Sequence, residues 1–150
     1  MYRERIRANP NWKRGPRFDT VFVTASDDDD QEGAIMRGML IARVRLFFSY
    51  YDPMLRKEFP CALVNWFVPV FGASDSLTGM WVFKPEIIGG TPTIEVIHLD
   101  AVVRGAHLLP KYGVGFIPED FSHVDALDAF KSYLVNHFVD YHAHELICGL

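Results

Sequence analysis

At 150 residues, with hydrophobic residues at 49%, charged residues at 23% and aromatic residues at 14%, the chain has the composition of one folded domain and not of a disordered tail. A chain of this length buries roughly 68–70% of its unfolded surface, and its two cysteines, Cys61 and Cys148, have neither the number nor the spacing of a disulfide framework or a zinc motif. No apolar run approaches the ~20 residues of a membrane span, and no apolar segment follows the charged N-terminus, so the expectation is a nuclear or cytoplasmic protein, neither secreted nor membrane-bound.

Taken in chain order, residues 1–16 are polar, basic and interrupted by Pro10, Gly15 and Pro16, which predicts an extended arm leading into a single domain over 17–150. The net charge of −4 hides a segregation: Arg3, Arg5, Arg7, Lys13, Arg14 and Arg17 meet one acid, Glu4, in the first seventeen residues. These six cations are the expected nucleic-acid contacts, acting on phosphates through counterion release. Residues 18–24 are β-branched and aromatic and predict a strand. Asp27 to Asp30 follow as a solvated loop, because the alternating spacing of a calcium loop is absent.

Residues 35–51 alternate, with Leu40, Ala42, Val44 and Leu46 on one side and Ile41, Arg43, Arg45 and Phe47 on the other. This is strand periodicity, with Arg43 and Arg45 read as facing out. Asp52-Pro53 turns the chain into a second run over 59–70, which makes a long hairpin. A short strand at 80–83 stops at Pro85, and Gly89-Gly90 turns into a further strand over 93–99. Residues 101–113 fit either a helical turn or a short final strand. Over 123–147, Val124, Leu127, Phe130, Leu134, Phe138 and Tyr141 recur at steps of three and four, predicting an amphipathic helix of about six turns. The fold class expected is mainly β with a C-terminal helix: a small SH3-like barrel of about five strands, similar in strand order to bromo-adjacent-homology domains.

Catalytic chemistry is hard to assemble. His98 and His107 lie near Asp100, and Asp140, His142, His144 and Glu145 crowd the end of the chain. The HExxH order, a nucleophile elbow and a phosphate-cradling glycine loop are all missing. No catalytic residue, cofactor or metal is therefore expected. The rival reading is a metal-dependent hydrolase or nuclease whose site draws on His98, Asp100, His142 and His144, with His107 beside them. Aromatic residues are the better lead. Tyr50, Tyr51, Trp66 and Trp81, with acids such as Asp52 and Asp100, are candidates for a cage around a methylated lysine or a platform for bases; the competing reading makes them core and cross-strand packing.

The strings ARVRLFFSYYDP, FPCALVNWFVPV, TGMWVFKPE, IEVIHLDAVVRGAHLLPKYG and LDAFKSYLVNHFVDYHAHELI, spread over roughly residues 17–147, resemble the C-terminal region of fungal Plavaka-type transposon proteins, of the Kyakuja, Dileera and Zisupton group. The resemblance implies a nuclear protein belonging to a DNA transposon. It also implies that transposase chemistry resides in a separate RNase-H-like region, so it assigns no catalytic residue here. The expected task is recognition, of chromatin through a histone tail, of DNA, or of another region of a transposon protein, with structural self-association as a further alternative.

Overall fold

The computed structural model describes residues 3–25, 35–113, 117, 119–122 and 125–149, with the backbone alone at 71–73. The acidic stretch Asp27 to Asp30 and the start of the expected helix, His123 and Val124, lie outside the described residues. The strands are β1 (Ala8–Trp12), β2 (Gly15–Phe18), β3 (Thr20–Thr24), β4 (Met39–Asp52), β5 (Lys57–Ser74) and β6 (Trp81–Pro85). They continue as β7 (Ile87–Ile88), β8 (Thr91–Pro92), β9 (Ile94–His98), β10 (Val102–Gly105), β11 (Leu108–Pro110) and β12 (Tyr133–Val135), and the helix α1 spans Tyr141–Cys148.

The long hairpin forms as the alternation requires. β4 and β5 pair antiparallel from Ile41↔Phe67 to Asp52↔Lys57. The Asp52 carboxylate accepts the N–H groups of Met54 and Leu55 at 2.8 and 3.2 Å, so its side chain builds the turn that Pro53 starts. Gly89 and Gly90, both at positive φ (63° and 83°), supply the conformation that a tight β7–β8 hairpin needs and that other residues resist. The main sheet runs β10-β3-β4-β5-β6-β12-β11, with β9 added to β5. β5 reaches both neighbours because it is 18 residues long: Cys61 to Asn65 pair with β9, and Phe67 onward pairs with β6. The register shifts by one residue between Val44 and Leu46, a bulge of the kind that bends a strand, and by three between Pro69 and Ser74. The result is a mainly β molecule, a curled antiparallel half-barrel with one C-terminal helix, in which eight strands replace the five expected.

Both faces of the central strands are buried. Phe22, Ile41, Phe67, Phe83, Tyr133 and Val135 pack on one face together with Ile147 of α1. Val21, Val23, Ala42, Val44, Ala62 and Val64 pack on the other.

Three expectations are corrected. The segment expected as an extended arm over 1–16 folds back over its described part: β1 and β2 make a hairpin turned at Lys13-Arg14, with Trp12 opposite Gly15. Asp19 fastens it, donating its N–H to the Arg7 carbonyl and accepting the Arg7 N–H on its carboxylate, both at 2.8 Å. Arg43 does not face out; it is 7% exposed, because β4 is covered on both faces. Finally, the helix predicted over 123–147 is confined to Tyr141–Cys148. Upstream of it Asp125 to Asp128 form a turn, and Tyr133 and Leu134 pair with Phe83 and Val82 of β6. Pairing to strands on both sides satisfies backbone groups and inserts Tyr133 and Val135 into the core, and this outweighs helical spacing. Residues 101–113, open between two readings, form β10 and β11.

Asp140 starts α1, its carboxylate accepting the Ala143 N–H at 2.7 Å while Arg104 grips it through two guanidinium bonds of 2.9 and 2.8 Å. Arg104 chiefly, with the Ala143 N–H, holds the carboxyl down at about 2, below its ordinary 3.8. A depressed carboxyl contributes stability that is full above the ordinary value and is lost as pH falls through the depressed one. Acid unfolding is therefore expected to have a limb between about pH 4 and 2 that Asp140→Asn flattens, followed by circular dichroism. Its size is modest, since the carboxylate is half exposed and screened by solvent.

Candidate nucleic-acid interface

Three cations in and beside the N-terminal hairpin surround one ring. Trp12 has the Arg7 guanidinium at 4.4 Å, the Lys13 ammonium at 5.5 Å and the Arg17 guanidinium at 5.8 Å from its centroid. Arg17 is also bonded to Asp19 at 2.8 Å. Lys13 and Arg14 are exposed, and neither pairs with a carboxylate among the described residues. Lys13, Arg14 and Arg17 line a depression of about 540 Å³ whose far wall is Phe18, Arg43 and Leu127.

Arg43 and Leu127 are shared with a second depression of about 600 Å³, which adds Arg45, Lys84 and Lys131 along β4, β6 and the 125–131 segment. The two thus adjoin at these side chains. Together they are lined by seven cationic side chains against three carboxylates, Asp19, Glu86 and Asp128, in a chain whose net charge is −4. Trp12, Phe18, Trp66, Phe67 and Phe130 supply aromatic lining. A third depression of about 350 Å³, lined by Arg5, Arg17 and Arg104 among others, shares Arg17, Asp19 and Leu127 with the first.

The centre of the groove is electrostatically unbalanced. Arg43 donates to Asp128 at 2.6 Å and to the Phe18 carbonyl at 3.3 Å. Arg45, the extra residue of the β4 bulge, donates to the Asn65 side chain. Both guanidiniums sit near the Phe18 ring, at 5.8 and 5.0 Å from its centroid. Burial first, and the Arg43 charge second, lower the affinity of Arg45 for its proton, with Asp128 only partly offsetting them. Among the described residues only Arg43 of the two has a carboxylate partner, Asp128, whose side chain is itself 61% exposed, so an arriving anion relieves repulsion there instead of adding to it.

The expected aromatic cage does not assemble. Tyr50 and Tyr51 lie near the tip of the β4–β5 hairpin, Tyr50 opposite Phe59, seven residues along β5 from Trp66 and so ~23 Å from it. Trp66 packs against one core face and donates its indole N–H to Glu95, whereas Trp81 packs against the other face. Asp100 is 91% exposed in a turn. The four aromatics serve packing and surface, not one pocket, because the sheet separates them.

Nor do His98, Asp100, His142 and His144 converge. His98 accepts the Asp100 N–H at 3.0 Å and caps the short turn after β9. His107 contacts the Asn136 side chain at 2.9 Å, and His142 contacts Arg104 at 3.1 Å. His144 instead neighbours His137 and Cys148. Reading the sequence alone missed Arg43, Arg45, Lys84 and Lys131 as groove residues and Trp12 and Phe18 as its rings. The interleaving of Trp12 with Arg7, Lys13 and Arg14 is the local signal that was there to use. No family model matches the chain, and no curated protein or solved structure matches it either.

Proposed function

We propose that this chain is a non-catalytic recognition domain that holds a DNA strand in the groove between its N-terminal hairpin and the curled sheet. One observation carries the reading: two adjoining depressions lined by seven cations against three carboxylates and by aromatic rings, in a protein of negative net charge. Lys13, Arg14 and Arg17 neutralise phosphates, the Arg43–Arg45 pair receives a further one, and Trp12 and Phe18 offer faces for stacking. The consecutive antiparallel run β3-β4-β5-β6, with its bulge in β4, supports the SH3-like, bromo-adjacent-homology-like layout used by chromatin and protein-interaction modules. With it goes the reading of the chain as a nuclear domain of a fungal Plavaka-type transposon protein.

The test is fluorescence anisotropy of labelled single-stranded and duplex DNA across a salt series. With about four phosphate contacts on a single strand, raising salt fourfold is expected to weaken binding ~50-fold. Absence of binding at low salt refutes the reading and turns the search to histone-tail peptides.

A second reading rests on a separate surface. Leu46, Tyr50, Ile94 and Val96 are each at least half exposed and share one face of the outer hairpin and β9 through the register Leu46↔Leu63↔Val96. Such a strip suits self-association. Sedimentation at several concentrations separates the two readings, since the groove requires no second copy.

A further inference from the structure

The end of the chain brings together three side chains that no step of DNA recognition uses. His144 and Cys148 stand four residues apart on α1, one turn and therefore one face. His137 belongs to the turn before the helix. One ligand atom from each of the three lies within 4.8 Å of the others, and the His137 and His144 ring centroids are 5.4 Å apart. The geometry points to a transition-metal site of the zinc type, formed by two imidazoles and one thiolate, with a fourth ligand supplied by solvent.

A second observation concerns His137 alone. It is 6% exposed, and its Nδ1 is buried with no hydrogen-bond partner among the described residues. An unsatisfied buried nitrogen costs ~1–3 kcal/mol, and it lies in the one part of the described chain where histidine and cysteine donors cluster. A bound metal ion satisfies such a nitrogen.

The surroundings hold the donors in place. The turn is fixed by the Asn136 N–H on the His107 carbonyl at 2.9 Å and the Phe138 N–H on the Asn136 side chain at 3.0 Å. The helix is fixed by its Asp140 cap and by Ile147 in the core. Zinc with two nitrogen ligands and one sulfur ligand draws the donor atoms to about 3.3–3.8 Å from one another, so closing the site takes about 1 Å of side-chain rotation. The donor set selects against magnesium and calcium, which take oxygen. On binding, the Cys148 Sγ–H proton passes to solvent and the sulfur's electron pair goes to the ion, so affinity rises with pH. The ion then ties the turn to both turns of α1.

The test is titration of the full chain with cobalt(II), followed by competition with zinc against a chromogenic chelator. Expected are one equivalent bound, a near-ultraviolet thiolate-to-cobalt band, and a melting temperature that zinc raises and a chelator restores. Cys148→Ser abolishes the band; because Cys148 is exposed, that variant keeps the metal-free melting temperature. His144→Ala weakens zinc by more than the ~100-fold that changes outside the coordination shell cost, while His98→Ala and His142→Ala leave uptake unchanged. Failure to take up one equivalent, uptake without the thiolate band, or loss with His142→Ala and not with Cys148→Ser overturns the assignment.

Discussion

Replacing Tyr133 by alanine is expected to lower the unfolding free energy by ~3–5 kcal/mol, the range for deleting a buried aromatic side chain, against a total of ~5–15 kcal/mol for a domain. Tyr133 is fully buried, meets Phe67 edge to face at 5.9 Å and pairs with Phe83 of β6 and Pro110 of β11. Its removal opens a cavity at the place where β12 joins two other strands. Urea denaturation of the variant beside the parent measures the loss. Tyr133→Phe separates packing from the hydroxyl, which donates to the Phe130 carbonyl at 3.2 Å, and is expected to cost ~1 kcal/mol. Burial also holds the phenol above its ordinary value of 10.0. A raised group contributes its stability below the ordinary value and loses it as pH climbs through the raised one. Parent protein therefore weakens at strongly alkaline pH along a limb that Tyr133→Phe lacks.

The double variant Lys13→Glu, Arg14→Glu is expected to weaken DNA binding about 100-fold at 0.1 M salt and to reduce the salt slope by about two. Both side chains are exposed on the hairpin turn, so unfolding free energy stays within ~0.5 kcal/mol of the parent. The opposite change comes from Asp128→Asn. That carboxylate is the ion-pair partner of Arg43 and a nearby negative charge for Arg45, which is itself bonded to Asn65, and removing its charge leaves the Arg43 guanidinium without a carboxylate and raises the positive potential at both. Affinity is expected to rise ~5–10-fold, with a loss of ~1–2 kcal/mol in stability because Arg43 stays buried. If Asp128→Asn leaves affinity unchanged, phosphates do not reach the centre of the groove.

Much of the sheet is legible in the residue order. The hairpin of β4 and β5 follows from period-two alternation and from Asp52-Pro53, and the β7–β8 turn follows from Gly89-Gly90. These signals are local. The 123–147 segment misleads for the same reason: helical spacing is real there, yet Phe138 and Tyr141, two of its apolar marks, are 62% and 68% exposed. β12 exists because β6 and β11, distant in sequence, offer it backbone partners.

The candidate groove was half visible. Arg3, Arg5, Arg7, Lys13, Arg14 and Arg17 stand out as a basic cluster, and three of them line its first depression. Arg43 and Arg45 look like ordinary outward positions of an alternating strand, since alternation presumes one wet face, and here both faces of β4 are covered. The aromatic cage fails because proximity in a list of strands is not proximity on a bent sheet. His137, His144 and Cys148 meet only once the turn at 136–139 delivers the chain to α1. Local periodicity and turn chemistry thus specify the class of fold, the hairpin and the charge of the N-terminal segment. Strand partners, the burial of Arg43 and the gathering of donors at α1 depend on contacts between distant residues, whose free energy no window of the sequence contains.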